Sequence, residues 1–404
     1  MSMSYARRRV GFALLLVLTM VLATLLAVAW FLPMPVGSKK LLLDFMLGRG
    51  IASPTAAVID ARLVVPQGFA LSAWARDVPL ARTILSTSGG DLIVSRTRAD
   101  EVVLLERDLD NDGKSDGQRV LLPRLNGPFG LALYDGWLYV AERDGIGRAR
   151  FDPASGRVTS PYQRILSGLT SDGFHQTKSI RFGPDGWLYL AQGSTCNVCV
   201  EKDPRRATIM RMQPDGSQAS IYATGLRNSV GLDWNPWDGG LYATENGRDL
   251  LGDDSPPDEL NLIQSAKFYG WPYVHGNDIL DPDMGKSEQG RLLATTRPAH
   301  AFRAHNAPLG LKFLDPNRLP AQYQRTALVA LHGSWNRRTP DGYKVVALHW
   351  QPDGSIVERD FLTGFLNEHG VIGRPVGVEQ ATDGSIFISD DYAGVIYRVA
   401  YRGQ

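Results

Sequence analysis

Cysteine is almost missing from this chain: 404 residues hold two, in Gly193-Ser194-Thr195-Cys196-Asn197-Val198-Cys199. A c-type haem site would need His at 200, where Val200 stands, and zinc would need further ligands that no nearby spacing supplies. In an exported chain Cys196 and Cys199 read as a disulfide closing a tight loop at the end of a strand, with a thiol-redox pair as the alternative. An excess of charge is missing too, with 43 Lys and Arg against 42 Asp and Glu. That balance excludes a general nucleic-acid surface, because phosphate binding wants a basic stripe. Helical periodicity is nearly absent, and 42 Gly with 24 Pro suit tight turns rather than long helices.

What is present is a repeat. The clearest copies read Pro128-Phe129-Gly130-Leu131, Ser229-Val230-Gly231-Leu232, Pro308-Leu309-Gly310-Leu311 and Pro375-Val376-Gly377-Val378. Ala81-Arg82-Thr83-Ile84 and Thr177-Lys178-Ser179-Ile180 fit the same slot less closely, and successive starts lie 47, 49, 52, 79 and 67 residues apart. A period near fifty with two enlarged units marks a propeller or solenoid. A second phrase follows each, as in Asp135-Gly136-Trp137-Leu138, Asp185-Gly186-Trp187-Leu188 and Asp383-Gly384-Ser385-Ile386. Asp-Gly ahead of an alternating apolar run is a strong hairpin signal. Third strands are expected at 102–105, 209–212, 344–349 and 395–399, and fourth strands at 165–169, 221–226 and 360–365. Four short antiparallel strands per unit, six units in all, predict an all-β six-bladed propeller over 61–404. The run Phe69 to Trp74 precedes the first repeat and is expected to close the ring as the outer strand of blade six, removing an exposed edge.

One long apolar run exists, Val10 to Leu32, behind Arg7, Arg8 and Arg9. Its 23 residues span a bilayer core of roughly 30 Å at about 1.5 Å per residue. It predicts one N-terminal transmembrane helix at 10–32, a cytoplasmic 1–9 and a tether over 33–60 with some helical character. The positive-inside rule then places the propeller on the periplasmic or outer side of the inner membrane. Ala27-Val28-Ala29 leaves the alternative of a cleaved signal and a secreted chain.

Loops ahead of each inner strand gather over the central channel, where function collects on a rigid scaffold. His175 stands there in Asp172-Gly173-Phe174-His175-Gln176-Thr177-Lys178, and Arg227-Asn228 and Arg374 hold the equivalent places in later units. Paired guanidiniums suggest a ligand bearing carboxylates or phosphates. The longest insertion opens with six acids, at 245, 249, 253, 254, 258 and 259, among them Asp253 and Asp254, against one arginine. So many carboxylates in one loop would repel unless a cation sat among them, and calcium tolerates irregular oxygen sets. Asp108, Asp110 and Asp112 with Gly113, then Asp116, match the first half of an EF-hand loop, although the bidentate Glu is replaced by Arg119. That segment reads as a structural calcium site or as a polar hairpin.

With these residues set out, the chain resembles the quinoprotein glucose/sorbosone dehydrogenase family over roughly 61–404. The resemblance rests on His175 with Phe182-Gly183-Pro184-Asp185-Gly186, Gly225-Leu226-Arg227-Asn228, Thr244-Glu245-Asn246-Gly247-Arg248, Asp258-Glu259-Leu260-Asn261 and Tyr269-Gly270-Trp271-Pro272. Cys196-Asn197-Val198-Cys199 and Gly333-Ser334-Trp335-Asn336-Arg337 look like its sorbosone-oxidising branch. It implies a six-bladed propeller holding pyrroloquinoline quinone (PQQ) and Ca²⁺. The residue matching His175 acts as general base on the anomeric hydroxyl while hydride passes to the quinone. A neutral imidazole near its intrinsic pKa of about 6.5 suits that role. Arg227 would offset charge developing on the quinone oxygen, Asn228 would hold the cofactor, and Arg374, Arg337 and Lys178 would meet its carboxylates. Carbonyls of Gly247 and Arg248 match the metal-binding turn, and Asp91 and Gln176 take the place of substrate contacts. A membrane quinone or a periplasmic cytochrome would accept the electrons.

The chain departs from the glucose-oxidising branch at several places: Phe174 replaces an acid, Arg248 a proline, Val376 one of a late basic pair and Asp91 a glutamine. Two other classes fit the pattern of axial polar residues: a calcium-dependent hydrolase or lactonase, and an anchored binding propeller without chemistry.

Overall fold

The structure is a computed structural model that describes residue 44, residues 49–287 and residues 294–403. The expected membrane-spanning run at 10–32 and most of the tether lie outside the described residues. Among those described, no helix is long and apolar enough to cross a membrane. The α-helix Ala56–Arg62 begins at Thr55, whose hydroxyl accepts the Val58 N–H, and falls at the end of the expected tether.

Among the described residues six antiparallel sheets carry the fold, each with four strands in blade order and the second with a short fifth strand, Arg157–Val158, paired beside them. Blade 1 runs Ala81–Ser86, Leu92–Arg96, Glu101–Leu105 and Gln118–Leu122. Blade 2 is Leu131–Tyr134, Trp137–Glu142, Gly145–Asp152 and Gln163–Ser167, and blade 3 is Lys178–Phe182, Leu188–Gln192, Thr208–Met212 and Ser220–Thr224. Blade 4 is Ser229–Trp234, Leu241–Glu245, Asp258–Ile263 and His300–Phe302. Blade 5 is Pro308–Phe313, Thr326–Leu331, Lys344–Trp350 and Ile356–Leu362, and blade 6 is Pro375–Gln380, Ile386–Asp390 and Val395–Tyr401. The fourth strand of blade 6 is Phe69–Ala75, paired antiparallel from Phe69↔Tyr401 to Ala75↔Ile396. Ring closure therefore takes the form expected from the sequence. The 79-residue unit holds the extra hairpin Val274–His275 with Ile279–Leu280, and the 67-residue unit holds Leu366–Asn367 with Gly370–Val371.

The repeated phrase has a physical cause. Its second residue points into the axial channel, where Phe129, Val230, Leu309 and Val376 form one buried apolar cluster. Its third residue must be small, because the next inner strand lies against it. A Cβ on Gly130 would sit 2.7 Å from the Lys178 carbonyl oxygen, and one on Gly310 would sit 2.5 Å from that of Val376. At this point the pairing of the first two strands slips in blades 1, 4, 5 and 6. A hydroxyl on the second strand bridges the slip. Thr244 Oγ1 accepts from Gly231 N–H and donates to the Leu309 carbonyl of the next blade, both at 2.8 Å. Ser389 Oγ likewise accepts from Gly377 N–H at 2.8 Å and donates to the Arg82 carbonyl at 2.5 Å.

The core lies between blades rather than at one centre. Blades 1 and 2, for example, share Ile93, Val102, Leu104, Leu138, Val140 and Phe151. Strands covered on both faces lose the inside-outside alternation of a half-exposed sheet, so Leu138 through Ala141 are all fully buried. Each such side chain contributes about 1.5–3 kcal/mol relative to exposure. Of the three Asp-Gly hairpins, Asp135-Gly136 alone has both residues at positive φ, 49° and 71°, as a two-residue turn demands. The other two place only Gly186 and Gly384 there and use longer turns.

Candidate functional site at the channel mouth

Chain direction sorts the residues. Segments that enter the first strand or leave the second of each blade meet at one face, and turns between first and second strands meet at the other. His175, Arg227, Asn228, Gly247, Arg337 and Arg374 belong to the first face. Asp91 and the Asp108–Asp116 loop belong to the opposite one.

His175 sits on a tight turn, with Gly173 at φ 72° and His175 itself at φ 45°. Left-handed backbone disfavours a branched or bulky residue, so the turn is held by outside contacts. Arg206 supplies them. Fully buried, it donates to the carbonyls of Gly193 at 2.6 Å, Thr170 at 2.7 Å, Phe174 at 2.7 Å, Ser194 at 2.9 Å and His175 at 3.3 Å. The imidazole Nδ1 lies 3.0 Å from the Ser194 carbonyl, which only accepts, so Nδ1 carries the proton and Nε2 keeps a lone pair. Ser194 Oγ, 3.1 Å from Nδ1, gives its own proton to the Cys196 carbonyl at 2.6 Å. Burial first, then the charge of Arg227, lowers the imidazole from its ordinary value to about 3. The imidazole is therefore neutral, and it lies far below 6.5 because a desolvated pocket and two guanidiniums oppose its cation.

Asn228 stands next to it. A Cβ on Gly193 would lie 2.5 Å from His175 Cβ and 2.6 Å from Asn228 Oδ1, so only glycine lets these two side chains close over that strand end. Arg227, also buried, spends every donor on its neighbours. Nε and Nη2 reach Asn197 O and Oδ1 at 3.0 and 2.9 Å, Nη1 reaches the carbonyls of Asn246 and Gly247 at 3.1 and 2.7 Å, and Nη2 also pairs with Asp249 at 2.7 Å. Asn197 lies inside the Cys196–Cys199 disulfide loop, which forms as expected. Its amide also accepts the Asp249 N–H at 2.9 Å, and its carbonyl accepts the Trp271 indole N–H at 3.2 Å. The disulfide thereby carries the clamp on Arg227.

Other expected residues are engaged differently. Arg374 donates to the carbonyls of His332 at 3.1 Å and Gly333 at 2.9 Å. Arg337 donates to the carbonyl of Asp253 and pairs with Asp254 at 3.1 Å. Lys178 is fully buried, donates to the Gln176 carbonyl at 2.9 Å and is lowered to about 7, chiefly by burial and then by Arg206. Gln176 turns back on its own loop, its amide 3.1 Å from the Gly173 carbonyl. Asp91 is buried under a bidentate Arg107 at 3.0 Å on the far face, out of reach of His175.

The acids of the insertion do not crowd one point, which corrects the expectation of mutual repulsion relieved by a cation. Glu245 accepts from Asn228 N–H and Ser229 Oγ, both at 2.6 Å, and Asp258 from the N–H groups of Gly247 and Ala307 at 2.8 and 2.9 Å. Glu259 accepts from Gly276 N–H at 2.7 Å, Asp249 pairs with Arg227, Asp253 with Arg338 at 3.0 Å, and Asp254 with Arg337. Three of them are strand residues, and each has its own donor. Arg248 is turned away onto Asp281 and Asp283. On the far face, Asp108, Asp110 and Asp116 do converge, while Asp112 pairs with Lys114 at 2.8 Å. The tool for a hard cation near His175 is instead backbone: the Asn246 and Gly247 carbonyls already point at one positive group, the Arg227 guanidinium.

A second cluster lies across the channel mouth and was not read from the sequence. Arg82 holds the channel-facing slot of blade 1, pairs with Asp391 at 2.5 Å and lies 5.2 Å above the Phe129 ring. Asp391 also bonds His332 at 2.9 Å, and burial with Arg374 nearby lowers that histidine to about 4. Arg82 had a signal, a cation where four copies carry apolar residues. Arg206 and Asn197 had none, since neither occupies a repeated position.

A family model described as Glucose / Sorbosone dehydrogenase matches residues 141–398, from blade 2 through blade 6. The aldose sugar dehydrogenase YliI of Escherichia coli is 24% identical over 48% of this chain and 57% of its own length. A pyrroloquinoline quinone-dependent pyranose dehydrogenase of Coprinopsis cinerea is 24% identical over 86% of this chain and 56% of its own. The chain thus spans little more than half the length of these curated relatives. The structure of the PQQ domain of pyranose dehydrogenase from Coprinopsis cinerea superposes with a TM-score of 0.71 at 21% identity, covering 84% of this chain and 97% of that one. The soluble aldose sugar dehydrogenase of Escherichia coli superposes at 0.64, with 18% identity over 83% and 100% of the two chains. Those two likenesses establish the propeller, and the model match over most of the blades establishes more: the chain belongs to the glucose/sorbosone dehydrogenase family.

Proposed function

We propose that the chain is a PQQ-dependent dehydrogenase that oxidises an aldose, or a sugar aldehyde of the sorbosone kind, to the lactone or acid. The observation that carries this reading is the state of His175. Its Nδ1–H is spent on a carbonyl, its Nε2 is free, and burial with the neighbouring charges keeps it unprotonated.

The residues present fit the implied cofactor. The apolar floor of Phe129, Val230, Leu309 and Val376 suits a flat ring system, and Asn228 lies beside the base at its edge. The converging carbonyls of Asn246 and Gly247 offer hard oxygens for Ca²⁺, once Arg227 turns its Nη1 elsewhere. When bound, the quinone and its cation would supply the two-electron acceptor and Lewis-acid polarisation. Everything else falls to the chain. His175 Nε2 takes the proton of the sugar's anomeric hydroxyl as hydride leaves the same carbon, and Ser194 and Arg206 fix the ring during that transfer. Arg227 contributes positive potential at the developing negative charge. Arg374, with Arg337 and Lys178 less directly placed, contributes positive potential toward carboxylates. A single-pass anchor at 10–32, a periplasmic or outer location, and a membrane quinone or cytochrome as electron acceptor complete the proposal, supported by the apolar run behind three arginines.

The test loads the protein with PQQ and Ca²⁺ and follows dye reduction across a panel of aldoses and sugar aldehydes. His175→Ala is expected to lower turnover by about 10²–10⁴, the usual contribution of a general base, while cofactor absorption changes persist. With the wild type, kcat/KM should show no acid limb from this group near pH 6.5, because the folded imidazole titrates near 3. Unchanged turnover in His175→Ala removes that residue from the mechanism, and no reduction with any sugar removes the reading.

A further inference from the structure

Large apolar side chains left in water are normally scattered, and a cluster of them marks a surface that something covers. Among the described residues eleven are exposed, and five of these belong to the face that carries His175. Phe174 adjoins the histidine, Val200 follows the disulfide loop, Leu250 lies beyond the second strand of blade 4, and Ile279 and Leu280 form one strand of that unit's extra hairpin. Hydrogen bonds join these loops into one sector. Phe174 N–H donates to the Thr195 carbonyl at 2.8 Å, the Asn197 amide to the Asp249 carbonyl at 3.1 Å, and Gly276 N–H of the hairpin to Glu259 at 2.7 Å. Arg248 ties the hairpin in by pairing with Asp281. Leu250 is 72% exposed at φ 72°. Left-handed backbone is costly for leucine, and Asp249, bonded to Arg227 at 2.7 Å and Asn336 at 3.0 Å, holds it out in water.

Across the channel, on blade 6, the segment ahead of the propeller is fastened to the same face. The turn at 391–394 leaves the second strand of that blade, beside His332 and Arg374. Ile51 N–H donates to the Tyr392 carbonyl at 2.8 Å, and Ser53 Oγ to the Ala393 carbonyl at 2.9 Å. The Tyr392 hydroxyl donates to Asp44 at 2.8 Å, and Arg76 donates to the Pro54 carbonyl. A Cβ on Gly50 would lie 2.3 Å from the Tyr392 carbonyl oxygen, so this close approach requires glycine. Only residues 33–43 separate Asp44 from the apolar run at 10–32, a reach of at most about 40 Å. The run is thus delivered on the side of the ring that bears the exposed cluster.

We propose that Phe174, Val200, Leu250, Ile279 and Leu280 seat the rim of blades 3 and 4 in a lipid bilayer, turning the mouth of the channel toward the membrane. The docked rim rests on the anchor reading of 10–32 for its direction of approach, and on the dehydrogenase reading for its acceptor. Apolar side chains of a surface-bound protein sink about 5–10 Å into the boundary between headgroups and acyl chains. Nearby acids do not oppose the contact, because Asp249, Asp253 and Asp254 are each paired with an arginine. With the cluster confined to two blades the ring tilts, and the mouth stays open to water over blades 1 and 2. Of the two acceptors proposed above, the membrane quinone is the one that meets the mouth in this orientation.

The test adds one cysteine to the full chain, Lys202→Cys beside the rim or Leu109→Cys on the opposite face, both exposed positions. Each carries a fluorescent label and is reconstituted into phosphatidylcholine vesicles with or without nitroxide lipids, with thermal midpoints as the check on folding. Shallow nitroxides should quench the label at 202 about twofold and leave the label at 109 unchanged, as expected of a rim at headgroup depth. Val200→Ser/Leu280→Ser should abolish most of that quenching, while soluble-dye reduction stays as in wild type. Equal quenching at both positions, or none at 202, overturns the docked rim. So does a label at 202 that is shielded only by a soluble cytochrome, which would make the rim a protein interface. Alkaline carbonate decides the anchor separately. A chain washed off the vesicles yet quenched at 202 keeps the rim and loses the anchor, and one that resists washing without quenching keeps the anchor and loses the rim. Because the readout is fluorescence, a protein that reduces no dye would sink the dehydrogenase reading and still decide the rim.

Discussion

At the scale of single residues, the site is governed by what buried polar groups do with their donors. Glu245 shows the consequence most plainly. It is enclosed between the second strand of blade 4 and the turn that positions Asn228, and burial pushes its carboxyl up to about 8. A folded-state pKa raised above the unfolded value of about 4.3 means the folded chain binds the extra proton. The stability it contributes is complete below pH 4 and is lost as pH rises through 8. Glu245→Gln keeps an acceptor for Asn228 N–H without the titration. The thermal midpoint of wild type minus that of Glu245→Gln should therefore shrink steadily between pH 5 and 8. A gap that is flat or widens over that range shows that Glu245 is ionised in the fold. The residues that carry hydrogen bonds of this kind were only half legible. His175, Arg227 and Asn228 could be found because they precede inner strands, and strand entrances are periodic. Arg206 and Asn197, which hold them, sit in irregular loops where no period points to them. Asp91 was misplaced because a residue between two strands reads alike whichever face its turn occupies.

At the scale of the element, the repeated phrase is a packing device as well as a strand start. The small third position admits the neighbouring inner strand, and the slip it causes frees an N–H that a second-strand hydroxyl must satisfy. Gly231→Ala would push a Cβ into the Leu309 carbonyl oxygen, a backbone atom that cannot step aside. It would also disturb the Thr244 bridge between blades. Overpacking of this kind costs about 1–3 kcal/mol. Urea unfolding should show a lower midpoint at unchanged slope, since the loss is local and the surface exposed on unfolding is the same. A midpoint within experimental error of wild type would mean that blade spacing is set elsewhere. The fold was legible from this phrase because position and spacing both follow from one constraint, the closeness of six strands at the axis. Fourth strands were less legible, and the one in blade 5 starts at Ile356 rather than 360. Outer strands bear exposed residues on one side and contact fewer partners, so their apolar pattern weakens.

At the scale of the whole molecule, the ring must close for the site to exist, because His175 and the arginine cluster come from blades that meet only around the axis. Closure depends on Phe69–Ala75, the first strand in sequence and the outermost of the last blade. Trp74 is its anchor, buried against the Phe387 ring at 5.3 Å and beneath Arg398 at 5.4 Å. Its neighbours Val78, Ala81 and Ile84 belong to the contact between blade 6 and blade 1. Removing this indole leaves a cavity at the seam of the ring, and large-to-small changes of that size cost about 3–5 kcal/mol. Trp74→Ala should therefore lower the calorimetric midpoint strongly. It should also weaken PQQ binding, because Arg82 of blade 1 pairs with Asp391 of blade 6 across the seam that this strand closes. Trp187→Ala is the matched control, an aromatic removed from blade 3 away from the seam. If both variants lose equal stability and only Trp74→Ala loses affinity, the seam carries the coupling. If affinity follows stability in both, the ring has no privileged joint and closure is one inter-blade contact among six.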